Sequence, residues 1–138
     1  MQLKNNEATL NRPHGDRILN APYVFASIGD YITLVKDEKA WKKNDRNAIT
    51  VFKSDSLSIV ISVLKQDAAM SDIQVDGILT VQVLEGKIKI ITPDGEIETY
   101  GKDLMILHSG IQHSIVATED CSLLITHYNF TGEDEKII

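Results

Sequence analysis

Three short stretches decide the fold of this chain: VQVLEGKIKI at residues 81–90, TPDGE at residues 92–96 and GKDLMILHSGIQH at residues 101–113. In the first stretch, apolar residues recur at every second position on both sides of an E-G pair, which is the pattern of two strands joined by a tight turn. The P-D-G triplet of the second stretch supplies the turn of another hairpin. The sequence here therefore predicts antiparallel β-structure with one apolar face on each strand.

Further short strands are predicted on both sides of this region, with turn residues between them. The full set of barrel strands covers residues 48–53, 57–65, 78–84, 87–91, 96–100, 104–107, 113–117 and 122–130. Many short strands separated by turn signals are typical of a sandwich or closed barrel, and not of a helical or βαβ domain. A chain of 138 residues is long enough for one hydrophobic core but not two. We therefore predict a single all-β barrel.

The beginning of the chain is predicted to form an arm that packs outside the barrel. Residues 21–28, entered through Pro22, suit an edge strand. Asp30 is then the candidate N-cap of one short helix over residues 31–43, whose apolar residues fall near helical spacing. Trp41 would anchor this helix on the barrel. The predicted divisions are residues 1–47 for the arm, 48–130 for the barrel and 131–138 for a charged tail.

Composition argues against several classes of partner. The net charge is −6, whereas nucleic-acid binding needs a clustered basic surface. The densest basic cluster, residues 39–46, is interrupted by acidic residues and is predicted to be a solvated helix face. No apolar run reaches the roughly 18 residues of a membrane span, and the first residues lack an apolar signal core. A single cysteine, Cys121, fits a reducing compartment, so we expect a cytoplasmic protein with no nucleic-acid or membrane partner.

The segment over residues 57–129 resembles the cupin family, whose members are double-stranded β-helix barrels of the jelly-roll type. The first cupin motif runs G-x5-H-x-H-x3/4-E-x6-G, and Gly86 matches its last glycine. The second runs G-x5-P-x-G-x2-H-x3-N, and Gly101, Gly110 and His113 match its two glycines and its metal-binding histidine. The resemblance implies a cupin barrel with one N-terminal strand and one short helix outside it, and with His113 pointing into the lumen.

Three of the four metal-ligand positions that the resemblance implies hold aliphatic residues. Counting back from the end of the first motif places Ile73 and Val75 at the paired histidines and Leu79 at the glutamate. Divalent metals need several imidazole or carboxylate donors that converge on one point, which one histidine does not provide. We therefore predict a barrel without a metal ion and without another cofactor.

Three histidines are the candidate ligand-binding residues. His113 is either a ligand contact in an apolar lumen or a core residue hydrogen-bonded to a carbonyl group or a tyrosine. His127 shares a strand face with Leu123 and Ile125, so it either points inward beside His113 or has a structural role. His108, at the barrel mouth, is either a ligand contact or plain surface. A non-standard metal site built from these three histidines stays open.

Two functional hypotheses follow. The first is a metal-free cupin that binds a small, partly apolar molecule in the barrel, or that has lost ligand binding and serves a structural or regulatory role. The second is a metal-independent isomerase or lyase with His113 as general base, as the resemblance to sugar-nucleotide epimerases of the wider superfamily implies. No Asp or Glu occupies the predicted inward positions to orient such a base. A homodimer is expected as well, because residues 21–28 offer an apolar edge strand and small cupins commonly pair across a two-fold axis.

Overall fold

The computed structural model describes residues 1–129, which form two packed β-sheets with two helices outside them. The elements are β1 (Lys4–Asn6), β2 (Arg17–Asn20), α1 (Ile28–Asp37), α2 (Lys39–Lys43), β3 (Arg46–Lys53), β4 (Leu57–Leu64), β5 (Ala69–Ile73), β6 (Ile78–Glu85), β7 (Lys87–Thr92), β8 (Gly95–Tyr100), β9 (Leu104–Leu107), β10 (His113–Ala117) and β11 (Cys121–Tyr128). One sheet has the order β3-β4-β11-β6-β9, the second has the order β5-β10-β7-β8, and β1 pairs with β2. All pairings are antiparallel, as predicted.

Alternation along the strands fills the space between the two large sheets with aliphatic side chains. In β6, Leu79, Val81 and Val83 are 6%, 0% and 0% exposed and lie in the barrel core, whereas Thr80 and Gln82 face outward. The same core takes side chains from both sheets, among them Ile88, Ile90, Leu107, Ile115, Ala117 and Leu123. Burial of this apolar area is the main favourable term in the folding of such a barrel.

A second core lies on the outer face of the five-stranded sheet, under α1. Ile32 and Val35 of α1 pack there with Ile61 of β4. Trp41 of α2 packs against the same cluster, which confirms its predicted role as an anchor. The ammonium group of Lys65 lies 4.9 Å from the centre of the Trp41 ring, so a cation–π contact covers the ring. Within residues 1–129, no helix is long and apolar enough to cross a membrane.

The predicted barrel strands are present, and their bounds agree with the structure to within two residues over the described part. The predicted tail, residues 131–138, and residue 130 lie outside the described residues. Strands β1, β2 and β5 were not predicted. Strand β5 escapes the period-two pattern because it contains a bulge: Asp72 has φ +55°, and the pairing with β10 shifts register there.

The prediction of a strand over residues 21–28 is wrong. The described residues 21–27 belong to no strand, and α1 begins at Ile28 with Ser27 as its N-cap, so Asp30 lies in the first turn. Ile28 packs against the outer core, which extends the apolar stripe of the helix by one turn toward its N-terminus. The predicted single helix is also two helices, because Glu38 adopts an extended conformation between α1 and α2.

Two arginines cover the edge of β3. Arg12 Nη2 donates to the carbonyl oxygen of Ala48 at 2.7 Å, and Arg17 Nε donates to that of Thr50 at 2.7 Å. Strand edges present unpaired carbonyl groups that must find donors. The guanidinium groups supply these donors, so β3 needs no further strand at these positions.

Glu38 joins the N-terminal arm, the helix break and the barrel. Arg12 donates to both carboxylate oxygens of Glu38 at 2.9 Å, and Asn47 Nδ2 donates to Oε1 at 3.0 Å. The Glu38 side chain is only 8% exposed. Burial by itself raises the pKa of Glu38, but the hydrogen bonds from Arg12 and Asn47 and the charges of the two arginines outweigh it. The pKa of Glu38 therefore lies below its usual value.

We predict that acid weakens the fold through Glu38. Because the pKa is lower in the folded state, the ionised carboxylate stabilises the fold at neutral pH, and this contribution is lost as pH falls below the ordinary value of 4.5. Glu38→Gln should lower the free energy of unfolding at pH 7 by about 2 kcal/mol, because hydrogen bonds to a charged group become hydrogen bonds to a neutral one. Below pH 4.5 the free energy of unfolding of this variant should fall less than that of the unmodified chain. Urea denaturation between pH 7 and pH 3 measures both, with Asp37→Asn, whose side chain is 87% exposed, as control. Equal pH profiles for Glu38→Gln and the unmodified chain would contradict the assignment.

Candidate functional site

His113 lies inside the barrel at the start of β10. Its strand face is shared with Ile115 and Ala117, which belong to the barrel core, and the whole residue is 2% exposed. Its register partner on β5 is Ile73, one of the residues at an implied metal-ligand position. The antiparallel pairing of β10 with β5 therefore places this imidazole against aliphatic neighbours.

The two ring nitrogens of His113 have different surroundings. Nδ1 lies 3.1 Å from the carbonyl oxygen of Ile111, within hydrogen-bond distance. Nε2 is buried and has no hydrogen-bond partner in the part of the chain that the structure describes. A buried polar atom without a hydrogen-bond partner destabilises the folded state by about 1–3 kcal/mol, so a partner for Nε2 is expected.

The barrel core is incompletely covered near its histidine-containing strands. Five apolar residues pack against this core but remain partly exposed: Met70, Ile73, Val75, Met105 and Ile125. Ile73 lies directly opposite His113, and Met70 lies opposite Ile115 on the same pair of strands. These five side chains form an apolar boundary between the core and solvent. The cleft that His113 itself lines has a volume of about 170 Å³ and is more polar, since Asp72, Thr92, Gln112 and Ser114 line it with Ile91 and Pro93.

Residues 74–77, which we term the strap, continue from β5 and are held by bonds from both sides. The Gly110 amide donates to the Val75 carbonyl at 2.9 Å, and Gln74 Nε2 donates to the Gly110 carbonyl at 2.9 Å. At the far end Gly77 has φ +86°, and a side chain there would collide with the Tyr128 carbonyl. Glycine is therefore required where the strap meets β11.

His127 contacts the strap. Its Nε2 lies 2.6 Å from the carbonyl oxygen of Asp76, and its side chain is half-buried opposite Leu79 of β6. Because that oxygen can only accept, Nε2 of His127 donates and is already used. His108 is exposed in the loop after β9. The geometry thus presents His113 as the histidine with a buried free nitrogen.

The donor set does not fit the metal ion that the resemblance implies. Ile73, Val75 and Leu79 all pack in or against the barrel core and have no donor atom. Among residues 1–129, no three His, Cys, Asp or Glu side chains come together in a way that could hold a metal. This includes the non-standard arrangement of three histidines. The residues of the barrel therefore support no reaction step through a resident metal.

The residues that sequence reasoning missed are the two methionines of the boundary and the strap. Met70 lies on the unpredicted bulged strand, and the strap's hydrogen bonds join segments that are far apart in the chain. The Asp72 bulge is stabilised by Ser114, whose Oγ accepts from the Asp72 amide at 3.0 Å. The broken alternation between Met70 and Ile73 was the available sequence signal, since two apolar residues three positions apart on a strand indicate a bulge.

Comparisons with known proteins place this architecture among solved structures. A cupin superfamily protein from Desulfitobacterium hafniense is 15% identical with a TM-score of 0.66, covering 81% of this chain and 95% of its own. A conserved protein of unknown function from Streptococcus pyogenes is 17% identical with a TM-score of 0.61, covering 65% and 79%. An RmlC-like cupin protein from Desulfovibrio desulfuricans is 21% identical with a TM-score of 0.55, covering 60% and 81%. No family model and no curated protein matches the chain. At these identities the likeness shows the fold.

Cys121 lies at the start of β11 and is 2% exposed in the barrel core. Burial, with a smaller contribution from the charge of Asp120, raises the pKa of its thiol to about 11. Since the thiolate is the reactive form, Cys121 is a poor nucleophile in the folded chain.

We predict that Cys121 reacts with a disulfide reagent only after unfolding. At pH 8 the native thiol should react at least about a hundredfold more slowly than the same thiol in denaturant, because the thiolate is scarce and covered. Absorbance of the released thiolate in the presence and absence of urea measures both rates. A native rate near the denatured one would show that β11 opens readily or that the thiol is exposed.

Proposed function

Because this chain has the cupin fold, we propose that it binds a small, partly apolar molecule in the barrel, with His113 as its polar contact and without a metal ion. The observation that carries the proposal is the unpaired Nε2 of His113 in an otherwise aliphatic core. Buried polar groups nearly always have a partner, and a bound molecule would provide one.

The surroundings of His113 support a ligand with an apolar body. Met70, Ile73 and Val75 are apolar, pack against the barrel core and are partly exposed, and Ile73 is the register partner of His113. Methionine side chains are flexible and adapt to irregular shapes, so they can rearrange around a ligand at small cost. A site of this kind is mostly apolar with one directional polar contact, as small-molecule sites commonly are.

We predict that the barrel retains a small molecule when the protein is purified gently. Native mass spectrometry of untagged protein should give a mass above that of the chain, and the difference should disappear on denaturation. His113→Leu should lower the occupied fraction at least about tenfold, since it removes the polar contact. His108→Ala, at an exposed position, is the matched control. Equal masses before and after denaturation in every sample would favour a structural or regulatory role.

We predict, in addition, no stoichiometric metal in the same preparation. The aliphatic residues Ile73, Val75 and Leu79 at the implied ligand positions are the physical reason. Elemental analysis for iron, manganese, nickel and zinc is the measurement. One metal ion per chain that is lost in His113→Ala would refute the metal-free proposal.

The enzymatic alternative uses the same imidazole as a general base. The hydrogen bond from Nδ1 to the Ile111 carbonyl would leave Nε2 free to take a proton, which favours this role. The orienting group is however a neutral carbonyl, whereas a carboxylate is what usually stabilises the imidazolium formed in such a step. Simple binding therefore has better support than proton abstraction.

We also propose that two copies of the chain associate through residues 21–27. Tyr23 and Phe25 in this segment are 94% and 89% exposed, and no described strand pairs with it. Large aromatic side chains this exposed are typical of interfaces, where they contribute much of the binding energy. Alternating exposed aromatics outside any described strand suit addition of the segment to a sheet of a second copy.

Light scattering over a dilution series at low and high salt tests the dimer. The unmodified chain should have a dimeric mass at micromolar concentration, with little dependence on salt because the contact is apolar. Replacing Tyr23 and Phe25 together by serine should raise the dissociation constant at least about a hundredfold. Ile97→Ser, at a residue 51% exposed elsewhere on the surface, is the control. A monomeric mass for the unmodified chain defeats the proposal, and an unchanged dimer in the double variant moves the interface to another face.

A further inference from the structure

The hydrogen bond at Nδ1 determines which chemical character the free nitrogen of His113 has. The Ile111 oxygen, 3.1 Å from Nδ1, belongs to a carbonyl group and can only accept, so Nδ1 carries a hydrogen. In the neutral ring, Nε2 then carries a lone pair and no hydrogen. Inside the barrel, Nε2 is therefore a hydrogen-bond acceptor that lacks a donor.

The charge around this acceptor is a second constraint. The barrel core beside His113 is aliphatic, and the cleft of about 170 Å³ that His113 lines holds one charged residue, the acidic Asp72, and no Lys or Arg. The buried polar residues of the described chain include no Lys, Arg, Asp or Glu: they are Asn20, Ser62, Thr99, His113 and Ser122. A carboxylate or phosphate brought here would lose its hydration without gaining a cation. The lone pair of Nε2 would also repel it.

The lining of the site is a third constraint. Met70 and Ile73 on β5 are apolar, and they lie opposite Ile115 and His113 across the same strand pair. A ligand that reaches Nε2 from the β5 side would contact these apolar side chains, whereas the cleft that His113 lines also carries Thr92, Gln112 and Ser114. Further polar groups that face the apolar side chains of β5 would be buried without partners, which is unfavourable.

We infer that the ligand is a neutral, largely apolar molecule with one hydroxyl or N–H group that donates a hydrogen bond to Nε2 of His113. Carboxylates, phosphates and metal chelates are the wrong class for this barrel. The inference rests on the proposed function, since it names the chemical class of the molecule that would be bound. The donor atom should lie about 3 Å from Nε2, as in ordinary hydrogen bonds.

Three probes that share a methyl-substituted benzene ring separate the ligand classes. The probes are 4-methylphenol, toluene and 4-methylbenzoate, titrated into the untagged full chain and followed by isothermal calorimetry and NMR. We expect 4-methylphenol to bind at least about tenfold more tightly than toluene, because toluene leaves the acceptor unpaired. We expect 4-methylbenzoate to bind least.

The ring nitrogens of His113 report the contact directly. In protein labelled with ¹⁵N, a donor on the Nε2 lone pair should move its resonance upfield with 4-methylphenol and leave it in place with toluene. This readout uses the unmodified chain, so it does not depend on how a variant folds. His113→Leu should remove the preference for 4-methylphenol over toluene, whereas His108→Ala should keep it.

The outcomes distinguish the inference from the function it rests on. Binding of toluene as tight as that of 4-methylphenol, or tightest binding of 4-methylbenzoate, overturns the donor class but leaves a binding barrel. An unshifted Nε2 resonance in the presence of saturating 4-methylphenol also overturns the inference that the ligand donates a hydrogen bond to Nε2. Absence of binding by all three probes, with Nε2 already bonded to an ordered water in a crystal structure, overturns both the class and the proposed function.

Discussion

Alternation along the central strand β11 is the constraint on which the rest of the structure depends. Leu123 and Ile125 face the barrel core, and Leu124 between them faces the layer under α1. β11 pairs over its length with β4 on one side and β6 on the other, so its register sets that of the five-stranded sheet. A shift of one residue would exchange the two cores, which is why an apolar pattern of period two specifies register strongly.

The polar groups of the barrel lie outside this apolar alternation, so each needs a hydrogen-bond partner nearby. At the edge, Arg12 and Arg17 satisfy carbonyl groups of β3, and Glu38 in turn holds Arg12. At the strap, His127 satisfies the Asp76 carbonyl. Only one ring nitrogen of His113 is hydrogen-bonded: Nδ1 has a carbonyl partner, whereas Nε2 has none among the described residues. The hydroxyl oxygens of Thr99 and Ser122 are likewise buried without a hydrogen-bond partner among the described residues.

Much of the fold and one part of the site could be predicted from the sequence. The hairpins around residues 85–86 and 93–95 follow from turn residues between alternating apolar residues. Turn preferences of this kind depend only on the local sequence. His113 could be found from the resemblance of residues 101–113 to the second cupin motif. Strand β5 could not, because its bulge breaks the alternation. Residues 21–28 look like a strand by composition, but Ile28 packs against the outer core as the first residue of α1, and this contact outweighs that preference.

The sequence by itself determined an all-β barrel with an aliphatic lumen, and it determined that Ile73, Val75 and Leu79 have no atom to offer a metal. Both depend on residue type and local period, which need no knowledge of distant contacts. The tertiary structure decided which histidine nitrogens are hydrogen-bonded and which side chains pair with the carbonyl groups at the edge of β3. Those outcomes join residues far apart in the chain, such as His127 with Asp76 and Arg17 with Thr50. Hydrogen bonds over such separations depend on how the sheets pack, and no pattern along the chain specifies them.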